Sequence, residues 1–335
     1  FTFNISWNIF DFHKFINNYI MKNIYSNIYS FDKNVLEKTV KSLSQGNIVS
    51  LPTETVYGLA GNAYSKKAIQ KIFKLKKRPL INPLIVHYYN LNSAKNDVVF
   101  NKYFLKLYKY FCPGPITFIL KKNRNSKIQS LTTANLKTVA IRFPNHKITR
   151  KILKFSKFPL AMPSANLSSG LSPINALDVY DEFDKKLKII INGGNSKIGI
   201  ESTVIDLSGD PKILRPGIIS AKDIKNCLKI NLSKKKSAIK SPGMLKKHYS
   251  PGIPVIMGTK PSNQKYAYMI FGKRYVRKKN YFYLSKKADL NEAAANLYKI
   301  MRKIKKRGFK KIFVSKIPNI GLGVAINDRL LRASR

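Results

Sequence analysis

Three short stretches put hydroxyls, amides and cations where apolar runs stop, the usual place for ligand-handling groups on a rigid scaffold. In Ser50-Leu51-Pro52-Thr53-Glu54-Thr55-Val56-Tyr57-Gly58-Leu59, a buried-looking strand runs into hydroxyls, one carboxylate and a glycine. A ligand loop and an ordinary hydrogen-bonded turn both fit it. The second stretch is Lys76-Lys77-Arg78-Pro79, followed by Asn82 and His87. Lys76 and Arg78 flank one residue, so both can face a single polyanion, Arg as a planar fork and Lys as a point charge. A solvated helix end and a satisfied core histidine are the plain alternatives. In the third, Pro163-Ser164-Ala165-Asn166-Leu167-Ser168-Ser169-Gly170, with Ser172-Pro173 beyond, a polar loop opens onto a helix, offering backbone N–H groups and a favourable dipole to an anion. An ordinary capping loop would look the same.

The elements that must position these stretches are legible from period and punctuation. Val35, Leu36, Val40 and Leu43 recur at helical spacing before Gly46. Residues 47–51 read as a strand stopped by Pro52. Ser65 can cap a helix carrying Ala68, Ile69, Ile72, Phe73 and Leu75, terminated by Pro79. Helices are also expected at 103–111 and near 148–155. Strands are expected at 84–86, 116–120, 139–142, 160–162, 189–191 and 202–207. This alternation predicts an α/β (α+β) domain with one large mixed sheet. Lysine-rich residues 222–240 read as a linker. Strands at 254–257, 266–271, 282–284 and 312–315 and a helix at 291–306 predict a second, smaller α/β domain. Residues 1–30 show no clean period and read as an appended segment of unknown role.

Composition excludes more than it selects. In 335 residues no run of about 18 apolar residues occurs, so no membrane-spanning helix is expected. Two distant cysteines, Cys112 and Cys227, make neither a zinc cluster nor a disulfide framework, and a reducing, cytoplasmic setting fits them. The formal charge is +47, but only 12 of the 63 basic residues are Arg. The excess of Lys, Asn, Ile, Tyr and Phe is the profile of drift in an AT-rich coding sequence rather than of an Arg-built polyanion-binding surface. The Walker pattern GxxxxGK[ST] is missing, and Gly321-Leu322-Gly323 lacks the third glycine of a dinucleotide fingerprint. From residues alone, the chain is an α/β protein with a phosphate-friendly, hydroxyl-lined cleft.

Taken together and in order, LPTETVYGLAGNA, KKRP with NPLIVH, AIRFP, PSANLSSG, ESTVIDL, ILRPG, SPGMLKKHYSP and GLGVAINDRLLRAS resemble the threonylcarbamoyl-AMP synthase family, from about residue 31 to the C-terminus. The resemblance implies a YrdC-like domain with a large twisted mixed sheet over residues 31–220. A linker over 221–252 would fold across the active site, and a small Rossmann-like α/β domain would occupy 253–335. It also implies formation of threonylcarbamoyl-AMP and pyrophosphate from L-threonine, bicarbonate or CO₂, and ATP. The product would pass to the machinery that modifies tRNA next to the anticodon.

By motif position, Thr55, His87, Arg142, Met162 and Ser202 are similar to the threonine pocket, with Arg142 the partner of the amino-acid carboxylate. Met162 stands where many relatives carry Thr or Ala. Arg78, Asn82, Thr138, Ser164, Ser172, Arg215 and Tyr249 fall on the ATP positions. Lys76, Arg78, Ser164 and Asn166 fall on the catalytic ones, with Mg²⁺ arriving on ATP and held mainly by its phosphates. A non-catalytic RNA-binding module is the rival that the charge favours, and tRNA contact is compatible with both readings. Carbamoyl-transfer maturation enzymes also contain a YrdC-like domain, but they need zinc-binding cysteine clusters that this chain lacks.

Overall fold

The structure, a computed structural model, describes residues 25–233, 248–272, 276 and 278–335. Most of the appended N-terminal segment and the SPGMLKK part of the linker motif lie outside these residues. The large sheet is built from β1 (Ile28–Ser30), β2 (Val49–Leu51), β3 (Gly58–Asn62), β4 (Ile85–His87), β5 (Ile116–Lys121), β6 (Thr138–Arg142), β7 (Leu160–Ala161), β8 (Ile190–Asn192), β9 (Thr203–Asp206) and β10 (Lys212–Arg215). Their order is β1-β8-β2-β3-β7-β4-β6-β5-β9-β10. Parallel pairs (β1/β8, β2/β8, β4/β6, β5/β9) stand beside antiparallel ones (β2/β3, β3/β7, β4/β7, β5/β6, β9/β10), so the sheet is mixed as expected.

Strand alternation gives the two faces different tasks. Val86, Phe118, Leu120, Val139, Ile141, Ala161 and Ile205 belong to the main core, with Ile69, Ile72 and Phe73 of helix Lys66–Lys76 and Phe104 and Leu107 of helix Lys102–Phe111. The residues between them on the same strands face the other way. That face carries a small apolar patch of Ile85, Ile119, Ala140 and Val204, with His87, Arg142, Thr117 and Ser202 beside it. A second apolar cluster at the β2–β3–β7–β8 end, including Leu51, Leu160 and Ile191, packs under helices Lys33–Ser44 and Lys147–Ser156.

The smaller lobe holds a four-stranded, wholly parallel sheet. Its strands are β11 (Val255–Met257), β12 (Ala267–Phe271), β13 (Tyr281–Ser285) and β14 (Ile312–Val314), in the order β11-β14-β12-β13. Helices Leu290–Lys306 and Leu322–Ala333 flank it. Its core runs continuously into the large lobe, where Val56, Leu171, Ile174 and Ile200 join Leu297, Tyr298, Ile326 and Leu330.

Several boundaries differ from the sequence reading. Ile28–Ser30 is not part of an appendage but an edge strand on β8, and the Asn27 amide donates to the Asp184 and Leu187 carbonyls. Ala221–Leu228, taken as the start of the linker, is a helix capped by Ser220, and Ile224 and Leu228 are buried in the main core. Three apolar positions among lysines were too sparse to outweigh the charge run. Gly58–Asn62 forms a central strand despite two glycines because backbone pairing and burial override its low β-propensity. Ser65 caps its helix as expected, accepting from the Ala68 N–H at 3.3 Å. The helix stops at Lys76, because Lys77 turns left-handed (φ 49°) and the Arg78 N–H closes back onto Phe73 O.

Candidate active site

The three polar stretches meet. Leu59 N–H donates to Pro163 O and Ala165 N–H to Tyr57 O, so the first and third run side by side, and Tyr57 N–H donates to Pro173 O. Gly58 is required there: a Cβ would come within 2.3 Å of Met162 Cγ. The second stretch locks onto the third through Lys76. Its ammonium donates to Ser164 O and Asn166 O, while its own carbonyl accepts from Ser168 N–H. A helix end and a polar loop far apart in sequence are thereby held as one wall.

The resulting cavity is lined by Thr53, Val56, Tyr57, Gly58, Arg78, Ile85, His87, Arg142, Met162, Pro163, Ser164, Glu201, Ser202, Arg215, His248 and Tyr249. Arg78 donates through Nε to Asn82 O and through Nη2 to Pro83 O. Arg215 donates through Nε to Ser202 O and through Nη2 to Ser202 Oγ, each at 3.0 Å. With Lys76, these are three buried cations whose described partners are all carbonyls or a hydroxyl, never a carboxylate. Burial dominates the electrostatics of two of them: Lys76 is pushed well below its ordinary range, by desolvation first and Arg78 second. Arg78 falls to about 9 by desolvation and then by repulsion from Arg215. Buried positive charge of this kind is suited to an anionic ligand.

Arg142, at the end of β6, is paired with Glu54 at 2.7 Å, and both are buried. Its Nε and the second Glu54 oxygen have no partner among the described residues. Beside it, His87 lies far below its usual pKa, through burial first and Arg142 second, so its ring is neutral. Its Nδ1 lies 3.2 Å from Ile85 O. Over the cavity sits Tyr249, fully buried with φ 62° and stacked on Tyr298 at 6.0 Å between centroids. The adjacent Ser250 N–H donates to Ser169 O, which ties the end of the linker to the polar loop. His248 is driven down to about 3, chiefly by desolvation, although Glu201 pulls the other way.

A model of the Sua5, YciO and YrdC family, described as "Telomere recombination", matches residues 41–217. A second, described as the threonylcarbamoyl-AMP synthase C-terminal domain, matches 219–335. The threonylcarbamoyl-AMP synthase of Pyrococcus abyssi is 35% identical over 87% of this chain and 92% of its own length. That of Bacillus subtilis is 34% identical over 87% and 90%. The crystal structure of P. abyssi Sua5 complexed with L-threonine superposes with a TM-score of 0.84 at 32% identity, covering 92% of this chain and 97% of that one. The chain belongs to the threonylcarbamoyl-AMP synthase family.

Of the residues that the family resemblance singled out, Arg78, His87, Arg142, Met162, Ser164, Ser202, Arg215 and Tyr249 line this one cavity. Six others do not. Thr55 is turned inward, its hydroxyl 2.9 Å from that of Thr53, and Thr53 takes its place on the wall. Lys76 braces the polar loop through its carbonyls, Asn166 turns its amide onto Leu167 O and Gly170 O within that loop, and the Asn82 carbonyl accepts from Arg78. Thr138 lies at the far end of β6, four residues and about 13 Å from Arg142 at an extended rise. Ser172 is fully buried and turns its hydroxyl onto Glu201. Sequence reasoning missed Thr53, Glu54, Glu201 and His248 as site residues. A carboxylate directly before Ser202, in a chain with only 16 acidic residues, was the available signal.

Proposed function

We propose that this cavity condenses L-threonine, bicarbonate and ATP to threonylcarbamoyl-AMP, with Arg78 and Arg215 as the nucleotide-phosphate wall and Lys76 fixing that wall from behind. The observation that carries the assignment is the set of buried cations without carboxylate partners, in a chain of this family. In the reaction bicarbonate takes up a proton and loses water to give CO₂, and the threonine amine adds to its carbon and releases a proton, giving an N-carboxylate. One of its oxygens attacks the α-phosphorus of ATP, and the bond to the β-phosphate oxygen breaks to release pyrophosphate. Little covalent work falls to the protein, so positioning and charge complementarity dominate.

Threonine sits on the His87–Arg142–Ser202 side, where the unpartnered Arg142 Nε is available to its carboxylate. The neutral His87 ring can hydrogen-bond substrate without adding a charge. Met162 presents an apolar wall to the substrate side chain. Tyr249 and His248 close the cavity against water, which protects a hydrolysable mixed anhydride. Mg²⁺ would enter on ATP. Among the described residues there is no cluster of three or more acidic, His or Cys ligands, and an ion carried on ATP would be held by phosphate oxygens and water. The Ser164 hydroxyl, on the cavity wall, is the protein oxygen suited to contribute. The ion neutralises charge on the phosphate oxygens. A downstream transferase acting on tRNA, in a cytoplasmic setting, is the expected consumer of the product.

The test is pyrophosphate release from purified protein with ATP, Mg²⁺, bicarbonate and L-threonine, with threonylcarbamoyl-AMP sought by mass. Release should require both co-substrates. Arg142→Lys should raise the KM for threonine about 10- to 100-fold by losing the Nε–H donor and the planar guanidinium, with little change in ATP binding. Folded, ATP-binding protein that makes no adenylate refutes the assignment.

A further inference from the structure

Glu201 is the one carboxylate on the cavity wall among the described residues, and it stands in a wall built to attract anions. A carboxylate there competes with the nucleotide for the same guanidiniums. Burial alone would raise the Glu201 carboxyl, but Arg329 first and Arg215 next outweigh it and bring it down to about 2, so Arg215 is near enough to act on this charge. The small lobe engages that carboxylate from behind. Arg329, on helix Leu322–Ala333 and wholly buried, donates through Nε to Glu201 Oε2 at 2.9 Å and through Nη2 to the Glu201 carbonyl at 3.4 Å. Tyr298, on helix Leu290–Lys306, donates its hydroxyl to both carboxylate oxygens at 3.1 Å. Ser172 of the polar loop takes Oε1. Arg329 is itself fixed by Asp328 Oδ2 and Pro216 O, and its guanidinium lies 5.2 Å from the centre of the Tyr249 ring.

We propose that Arg329 and Tyr298 are positioning residues through which the small lobe sequesters Glu201, leaving Arg215 and Arg78 free for the nucleotide phosphates. The arrangement explains how a carboxylate is tolerated in an anion site: its lone pairs are spent on the small lobe and Ser172. It also assigns that lobe a part in ATP binding without any direct contact to ATP. Removing Arg329 leaves a buried, ionised Glu201 whose remaining cationic neighbour is Arg215. The carboxylate then turns to it and blocks the phosphate wall.

The inference rests on the phosphate-site assignment above, and its test separates the two. ATP binding by calorimetry at fixed salt and steady-state pyrophosphate release are measured on the full chain for wild type, Arg329→Met, Tyr298→Phe, Glu201→Gln and the two doubles with Glu201→Gln. Arg329→Met should weaken ATP binding at least about ten-fold, and Tyr298→Phe about three-fold. Adding Glu201→Gln should bring each back to within about three-fold of the Glu201→Gln single variant, because the competing charge is gone. Circular dichroism checks that each variant is folded, and if Arg329→Met is not, the Tyr298→Phe pair decides. Doubles as weak as the Arg329 or Tyr298 singles would show a merely structural role and overturn the proposal, as would singles that bind ATP like wild type. Wild type that binds ATP without releasing pyrophosphate refutes the synthase assignment alone, and wild type that binds no ATP refutes both.

Discussion

Replacing Arg78 by Met should separate function from stability. The guanidinium is buried and its pKa is lowered from 12.5 to about 9, so the fold disfavours its charged form. At every pH below about 9 that charge opposes folding, and a downward shift of this size corresponds to about 5 kcal/mol. Against it stand the two hydrogen bonds to Asn82 O and Pro83 O, each worth about 1.5–3 kcal/mol with a charged donor. The methionine stem keeps most of the packing. The opposing contributions nearly cancel, so Arg78→Met should move Tm by no more than about 5 °C in either direction. Function should not survive so well. Loss of a preorganised cation facing developing pyrophosphate charge should lower kcat/KM about 10²- to 10³-fold, or about 3–4 kcal/mol. Differential scanning fluorimetry with and without saturating ATP, beside the pyrophosphate assay, reads both quantities. A variant that melts more than about 10 °C below wild type, yet is still stabilised by ATP as wild type is, would refute the reasoning: Arg78 would then be structural.

Other substitutions probe the surroundings. His248 is buried and neutral, with its pKa lowered from 6.5 to about 3. Its contribution to stability is complete above about pH 6.5 and is lost as pH falls toward 3, so His248→Gln should flatten urea-measured stability between pH 6.5 and 4.5. Glu201 has its pKa lowered from 4.5 to about 2, so Glu201→Gln should instead remove pH dependence below about 4.5. The Tyr249 hydroxyl is buried and unpartnered among the described residues, so Tyr249→Phe should leave Tm unchanged or slightly raised. Tyr249→Ala opens the lid and should raise the ratio of pyrophosphate released to adenylate recovered, as followed by mass. Gly199 has φ +79°, and its added Cβ would meet Ala295 Cα at 2.5 Å across the lobe interface. Gly199→Ala should therefore cost about 3 kcal/mol or more in chemical denaturation.

Local signals were sufficient for much of this molecule. The cap at Ser65, the helical spacing behind it, and the strand runs ending at Leu51, His87 and Arg142 are properties of a few adjacent residues. They are therefore readable without tertiary knowledge. The ordered motifs pointed to the family and to half of the residues on the cavity wall. Elements held by burial rather than pattern were not readable. The glycine-containing strand Gly58–Asn62 and the lysine-bearing helix Ala221–Leu228 exist because the rest of the fold supplies their pairing and their cover. The same division runs through the site. That Arg142 is a site residue follows from AIRFP, but its pairing with Glu54 spans 88 positions. The Glu201–Arg329 contact spans 128 and crosses between lobes. In a chain carrying 63 basic residues, nothing in the sequence separates an arginine sealed at 0% exposure from one on the surface. Charge and burial together set what a side chain can do, and burial is decided only when distant segments close around it.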